Sequence, residues 1–212
     1  MKDIKYTLIA DGSSDMILLN IIKWSLDNLY PRLPNEGSFA DFRQMKNPPR
    51  RLTDKVREAK LYYPFDILFV HRDAESTNPR IIHKRIREVS KELSVDDVRK
   101  TICIIPVKMM ETWLLIDENA IKKAAGNRNY RGNFILPSLR SLERESQPKE
   151  LLHSLLREAS GKKDRNLKKF NIDKAVHLVA ENIEDYSPLR NLVAFRAFEE
   201  ELKKVVDKYL ED

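Results

Sequence analysis

Apolar residues come in short runs that each break into polar chemistry, and the runs at 4–10, 65–70 and 101–107 are the length of buried strands rather than of helices. The first, Ile4 to Ala10, leads into Asp11-Gly12-Ser13-Ser14-Asp15, whose glycine and hydroxyls suit a tight turn and a helix N-cap. A helix is expected from about Asp15: Ile17, Leu18, Ile21, Ile22 and Leu29 recur at three- and four-residue spacing, Ser25 is the exception, and Tyr30-Pro31 stops the pattern. The result is a strand, loop, helix unit.

The unit repeats. A weaker strand is expected near 38–45, followed by the breaker Asn47-Pro48-Pro49 and a short basic helix at about 53–62. Phe65 to Val70 then leads into His71-Arg72-Asp73-Ala74-Glu75, and a helix rich in Arg and Lys is expected over about 79–93. The strand at 101–107 leads into Lys108-Met109-Met110-Glu111-Thr112-Trp113-Leu114-Leu115-Ile116, read as a mostly buried helix. Alternating strands and helices predict an α/β fold with a mainly parallel sheet and helices on both faces, and ligands of such sheets gather outside the carboxyl ends of the strands. Asp11, Asp73 and Glu111 all fall there.

After Asp117 only helical patterns appear, around 118–125, 149–160 and 172–183 and then a long amphipathic one after Pro188. The chain therefore divides into an expected α/β core, 1–117, and a helical C-terminal extension, 118–212, packed on it. The single cysteine, Cys103, lies inside an apolar strand, so neither a disulfide framework nor a Cys-based zinc site is available. No apolar run approaches the length of a membrane span and no export signal opens the sequence, so a cytoplasmic protein is expected. With 39 Lys and Arg against 33 Asp and Glu the formal charge is +6, which is compatible with polyanion binding without demanding it.

Taken singly, each acid has an ordinary explanation. Asp11 or Asp15 at a strand-to-helix turn reads as an N-cap, Glu75 as a solvated loop residue and Glu111 as a surface position. Their joint placement at strand ends favours another: Asp and Glu oxygens are the ligands of hard divalent cations, and the one-residue gap in Asp73-Ala74-Glu75 suits a ligand pair. Glu111 lies among Met109, Met110, Trp113, Leu114 and Leu115, where burial calls for either a metal or an Arg or Lys partner. His71 is either a ligand or proton carrier or a structural hydrogen-bonder. Arg72 and the loop with Lys162, Lys163, Arg165, Lys168 and Lys169 are candidates for contact with a phosphate backbone, though charge runs commonly just face water. No Ser/His/Asp arrangement, Walker loop or dinucleotide fingerprint is present.

The segments IADGSSD and FVHRDAE resemble the Toprim superfamily, shared by topoisomerases, primases and OLD-type nucleases, with its acidic-Gly turn after the first strand and Asp-x-Asp after a later one. VKMMETWLLID, GKKDRNLKKF and YSPLRNLVAFRAFEEEL are similar to bacterial Toprim-like proteins often encoded beside ATPases in mobile-element defence loci. The resemblance implies a Toprim-like core binding magnesium or manganese, with Asp11 at the family's Glu position, Asp73 and Glu75 as its paired acids, and Asp15 and Glu111 completing the ligand set. It further implies a metal-dependent nuclease acting on DNA or RNA, with Asp11 and an assisting Lys168 as catalytic residues; Asp11 is one methylene shorter than the family Glu. The alternative implied is a weakly active or inactive module that binds a partner ATPase or nucleic acid.

Overall fold

The computed structural model describes residues 2–132 and 134–211. Its centre is a four-stranded, all-parallel sheet formed by β1 (Ile4–Ile9), β2 (Asn35–Phe39), β3 (Ile67–His71) and β4 (Thr101–Ile104), in the order β2-β1-β3-β4. The two central strands are apolar because both faces are covered: every residue of β3 is buried, and in β1 only Lys5 is exposed. Tyr6 pairs with Ile67 and Ile9 with Val70, so β1 and β3 end level with each other.

Parallel strands require crossovers, and helices supply them. A 3₁₀ turn at Ser13–Ile17 and α1 (Leu18–Leu29) join β1 to β2, α2 (Leu52–Tyr62) joins β2 to β3, and α3 (Ile81–Glu92) with α4 (Val95–Arg99) joins β3 to β4. From β1 the chain first builds outward to β2, then turns back across β1 to add β3 and β4. The direction of growth reverses between β1 and β3, and there the crossover helices part to opposite faces and open a crevice at the strand ends.

After a second 3₁₀ turn, Met110–Leu114, the chain is helical among its described residues: α5 (Glu118–Ala124), α6 (Leu139–Leu142), α7 (Pro148–Ala159), α8 (Asp164–Lys168), α9 (Ile172–Asn182), a 3₁₀ turn at Ser187–Asn191, and α10 (Val193–Glu211). Phe195 and Phe198 of α10 stack edge-on and tilted against Trp113, and Phe198 also reaches Phe69 of β3, so one aromatic cluster joins the sheet to the last helix. Helix α10 also covers β4, where Glu201 Oε2 accepts the Cys103 amide at 2.9 Å. That contact blunts an edge strand that would otherwise present free donors. No helix among the described residues is long and apolar enough to cross a membrane.

Several elements differ from their expected bounds, each for a local reason. The second strand lies at Asn35–Phe39, earlier than 38–45, because the backbone that continues past Leu8 pairs only as far as Phe39 and Ala40. It is an edge strand whose residues are all at least partly exposed, so hydrophobic pattern marks it poorly. The fourth strand stops at Ile104 because Pro106, two residues on, has no amide to donate. The segment expected as a buried helix at 108–116 is buried throughout 110–114 but forms only a 3₁₀ turn. The helix expected from Asp15 opens as 3₁₀ and becomes α-helical at Leu18, and the exceptional Ser25 is fully buried with no hydrogen-bond partner for its hydroxyl among the described residues.

Gly37 illustrates how tightly the edge strand is set. A Cβ there would lie 2.3 Å from Tyr6 Cε2, and the Tyr6 ring is buried and in edge-on contact with Phe69. Gly37→Ala is therefore expected to destabilise the protein by about 1–3 kcal/mol through overpacking, read as a lowered urea midpoint. An unchanged midpoint would show that the β2 edge yields freely.

Candidate active site

The β1–β3 switch point brings together the residues that follow both strands. An open cleft of about 380 Å³ there is lined by Asp11, Asp15, His71, Arg72, Asp73, Glu75 and Arg85. It adjoins a second cavity of about 290 Å³ through the shared residue Asp11, on whose far side stand Arg43, Arg50 and Lys55.

Each carboxylate is placed by local chemistry. After β1 the chain turns at Gly12, whose amide donates to Asp15 Oδ2 at 3.0 Å, while Ser14 Oγ donates to Asp15 Oδ1 at 3.2 Å. This capping arrangement folds Asp15 back over the strand end. After β3, Asp73 Oδ1 accepts the amide of Met110 at 3.0 Å. The loop after β3 is laced to the loop after β4 by Ala74 N to Pro106 O, Glu75 N to Lys108 O and Lys108 N to Ser76 O, at 2.8–3.1 Å. The lacing requires left-handed backbone at Glu75 and Lys108 (φ 56° and 63°), an uncommon conformation for non-glycine residues.

His71, the last residue of β3, is 4% exposed. Its Nδ1 lies 3.0 Å from the Ile104 carbonyl oxygen, which can only accept, so Nδ1 carries a proton. The other nitrogen, Nε2, points into the cleft, 3.5 Å from Asp73 Oδ1 and 4.0 Å from Asp15 Oδ2. Both distances exceed a normal hydrogen bond. Of the two alternatives open for His71, the structural hydrogen bond is made by one nitrogen, and the second nitrogen is left for the site.

The remaining acids are held apart by cations. Asp11 is paired with Lys55 Nζ at 2.7 Å, Glu75 with Arg85 at 2.8 Å, and Glu111, buried behind the cleft, faces Lys149 Nζ at 3.9 Å. Asp73 and Glu75 do not point together as their spacing suggested: the left-handed turn at Glu75 sends its carboxylate outward to Arg85, with its side chain 75% exposed. Consequently no three His, Cys, Asp or Glu side chains among the described residues already stand as a ready metal cage. Asp15, Asp73 and His71 form the inner set, Glu111 lies behind them, and Asp11 and Glu75 stand at the mouth.

Among the basic candidates, Arg72 lines the cleft with one nitrogen 2.8 Å from Glu92. Lys162 lies over the Phe170 ring, and Lys163, Arg165, Lys168 and Lys169 are exposed on and around α8; none of these five lines the cleft. The cations the structure does place at its acids are Lys55, Arg85 and Lys149. Lys55 and Arg85 were legible in principle: in parallel crossovers, helices begin at the carboxyl edge of the sheet, so basic residues in the first turn or so of α2 and α3 stand beside the acids.

Electrostatics separates the acids. Burial pushes the Asp73 carboxyl above its ordinary 3.8, with neighbouring Asp15 and Glu75 adding to the shift against the opposing pull of His71 and the Met110 amide. Burial likewise raises Glu111 above 4.5, reinforced by Asp73 and Asp15 and only partly offset by Lys149. At Asp11 burial acts upward too, but the hydrogen bond and charge of Lys55, with Arg72 and His71, outweigh it and hold the carboxyl below its usual value.

The signs give a pH dependence. With raised folded-state values at Asp73 and Glu111, the native protein binds more protons than the unfolded chain just above the ordinary carboxyl range, so stability without divalent ions falls as pH rises from about 4 upward. Asp73→Asn and Glu111→Gln should each flatten that fall in chelator-treated protein, followed by urea denaturation across pH. Asp11, shifted the other way, contributes stability that is present above the ordinary carboxyl value and is lost on acidification through its lowered one, so its effect lies in a separate, more acidic window. Equal slopes for wild type and both variants would remove the claim of an electrostatically strained cluster.

No family model, no curated protein and no solved structure matches the chain.

Proposed function

We propose that the cleft is a Toprim-like centre that holds a divalent cation, magnesium or manganese, and cleaves phosphodiester bonds in nucleic acid. The observation that carries this reading is the inner set: Nε2 of a buried histidine faces two partly buried carboxylates that follow neighbouring strands, at 3.5 and 4.0 Å, with the buried carboxylate of Glu111 behind them. A cation bound at about 2.1 Å from each ligand spaces neighbouring ligand atoms about 3 Å apart in an octahedron, so a small contraction brings these groups into reach. The charge state argues the same way. Asp73 and Glu111 are acids whose burial is not fully compensated by protein cations, and a divalent ion supplies what is missing.

Asp15, Asp73 and His71 would hold the ion, Glu111 would support it from behind, and Asp11 and Glu75 would join from the mouth. When bound, such an ion neutralises a phosphate and lowers the pKa of a bound water. The chain's own part is to fix the carboxylates through the Gly12 and Met110 amides, to orient His71 through Ile104, and to offer Arg72 and Arg85 to a phosphate. The assisting role expected for Lys168 passes in this reading to Lys55 or Arg85, which stand beside the acids. An encoding beside defence ATPases belongs to the same proposal.

A second reading, a module that binds a partner ATPase or nucleic acid without cutting, has one observation in its favour. Asp11, at the position where catalysis in this superfamily needs a longer acid, is engaged with Lys55 rather than turned to the inner set.

The two readings separate on one experiment. Purified protein should cut single- or double-stranded DNA or RNA with manganese or magnesium and not with chelator. Asp73→Ala and Asp15→Ala should each reduce the rate by about 10–100-fold or more while the protein still unfolds in one cooperative transition. Metal binding without cleavage, in protein that gains a nucleic-acid or ATPase partner, would instead support the module. Cleavage that survives both substitutions would place the activity elsewhere or in a contaminant.

A further inference from the structure

The acids outside the inner set share a property that the metal reading by itself does not explain: each faces a basic side chain, Asp11 with Lys55, Glu75 with Arg85 and Glu111 with Lys149. At the mouth of the cleft these pairs are asymmetric. The carboxylate side chains are 80% exposed at Asp11 and 75% at Glu75, whereas their cations are 13% exposed at Lys55 and 26% at Arg85. The acids can swing with little hindrance; the bases are anchored. Lys55 Nζ also donates to the Ala10 carbonyl at 3.2 Å, and Arg85 Nη1 donates to Glu88 at 3.0 Å, so both cations keep their positions if their first partner leaves. Arg85 has in addition a buried Nε with no hydrogen-bond partner among the described residues.

We propose that Lys55 and Arg85 exchange partners when the cleft is loaded: the divalent cation draws away the carboxylates of Asp11 and Glu75, and the freed ammonium and guanidinium receive a substrate phosphate. The proposal rests on the metal reading above and adds to it a coupling between the two ligands. In each pair the carboxylate is largely in water and the cation keeps a second partner, so breaking the pair costs little. Cation and phosphate then no longer bind independently. The metal exposes two positive groups to the phosphate, and the phosphate holds those groups away from the acids the metal needs. His71 Nε2, which faces Asp73 and Asp15 in the cleft at 3.5 and 4.0 Å, marks where the cation sits, and the cleft-facing Arg85 and the adjoining Lys55 mark where the anion lies. Linkage requires the effect to be reciprocal: whatever factor manganese adds to phosphate affinity, the phosphate ligand adds to manganese affinity.

The competition has an unusual mutational signature, because removing a base should help one ligand and harm the other. Lys55→Gln and Arg85→Gln should each bind Mn²⁺ alone about twofold to fivefold more tightly than wild type, measured by titration calorimetry on chelator-treated protein. The same variants should bind a labelled phosphorothioate single strand more weakly in saturating Mn²⁺, by fluorescence anisotropy, and the mutual enhancement seen in wild type should shrink. Lys23→Gln, which removes an equal charge from an exposed pair with Asp27 on α1, should change neither affinity. Thermal melts identify variants whose fold is disturbed, and Lys55→Arg and Arg85→Lys, which keep the charge, should restore wild-type behaviour in part. If Mn²⁺ binds wild type but both Gln variants bind it equally or less tightly, the exchange is overturned and the metal site stands. If Mn²⁺ does not bind wild type, both readings fall.

Discussion

The parallel pairing of β1 with β3 is the constraint from which the rest follows. Two strands adjacent in space but separated by the whole β2 excursion are locked level at Ile9 and Val70, so the loops that leave them emerge side by side. Asp11 and Asp15 come from one loop, His71 and Asp73 from the other strand and its continuation. Neither segment has a site alone. A register slip of one residue would invert the faces of a strand buried on both sides and carry His71 away from the acids.

Holding this many charges at a strand edge costs stability, and the structure distributes that cost unevenly. The acids at the mouth are matched by Lys55 and Arg85 and remain largely in water. Asp73 is drawn partly inside and Glu111 is buried, so that desolvation opposes their ionisation and the local partners, a Met110 amide and the Lys149 ammonium at 3.9 Å, compensate only in part. Uncompensated buried acid is a common feature of functional sites and an uncommon one of purely structural surfaces. The stability it consumes is supplied elsewhere, by the cluster of Phe69, Trp113, Phe195 and Phe198 and by the seal of α10 over β4. The helices after Asp117 are therefore part of the platform that supports the site, because the same Phe198 that anchors α10 touches the strand that ends in His71.

The features legible in the sequence are those with short-range causes. Apolar runs marked β1, β3 and β4, and Asp-Gly-Ser-Ser-Asp marked a turn in which Asp15 caps its own loop. Features whose cause lies across the fold are less legible. The weak alternation around β2 misplaced that strand, since a half-exposed edge carries little hydrophobic signal. The spacing of Asp73 and Glu75 suggested a pair, and a left-handed residue at 75, imposed by lacing to Lys108, turned them apart. The basic run at 162–169 is dense, yet the structure leaves it exposed and outside the cleft lining, while Arg85 of the basic helix α3 lines the cleft and Lys55 adjoins it.

The sequence by itself determined the class of the fold, the strands that build its centre and the acids at their ends, because burial and turn chemistry act over a few residues. Only the tertiary structure decided which of those acids face a common histidine nitrogen, which are occupied by cations, and which basic residues share the cleft. Those outcomes depend on register, on the reversal of strand order and on crossover helices that begin at one edge. The helix-start positions of Lys55 and Arg85 give their edge of the sheet, but which acid each meets is a relation between segments tens of residues apart that no local pattern encodes.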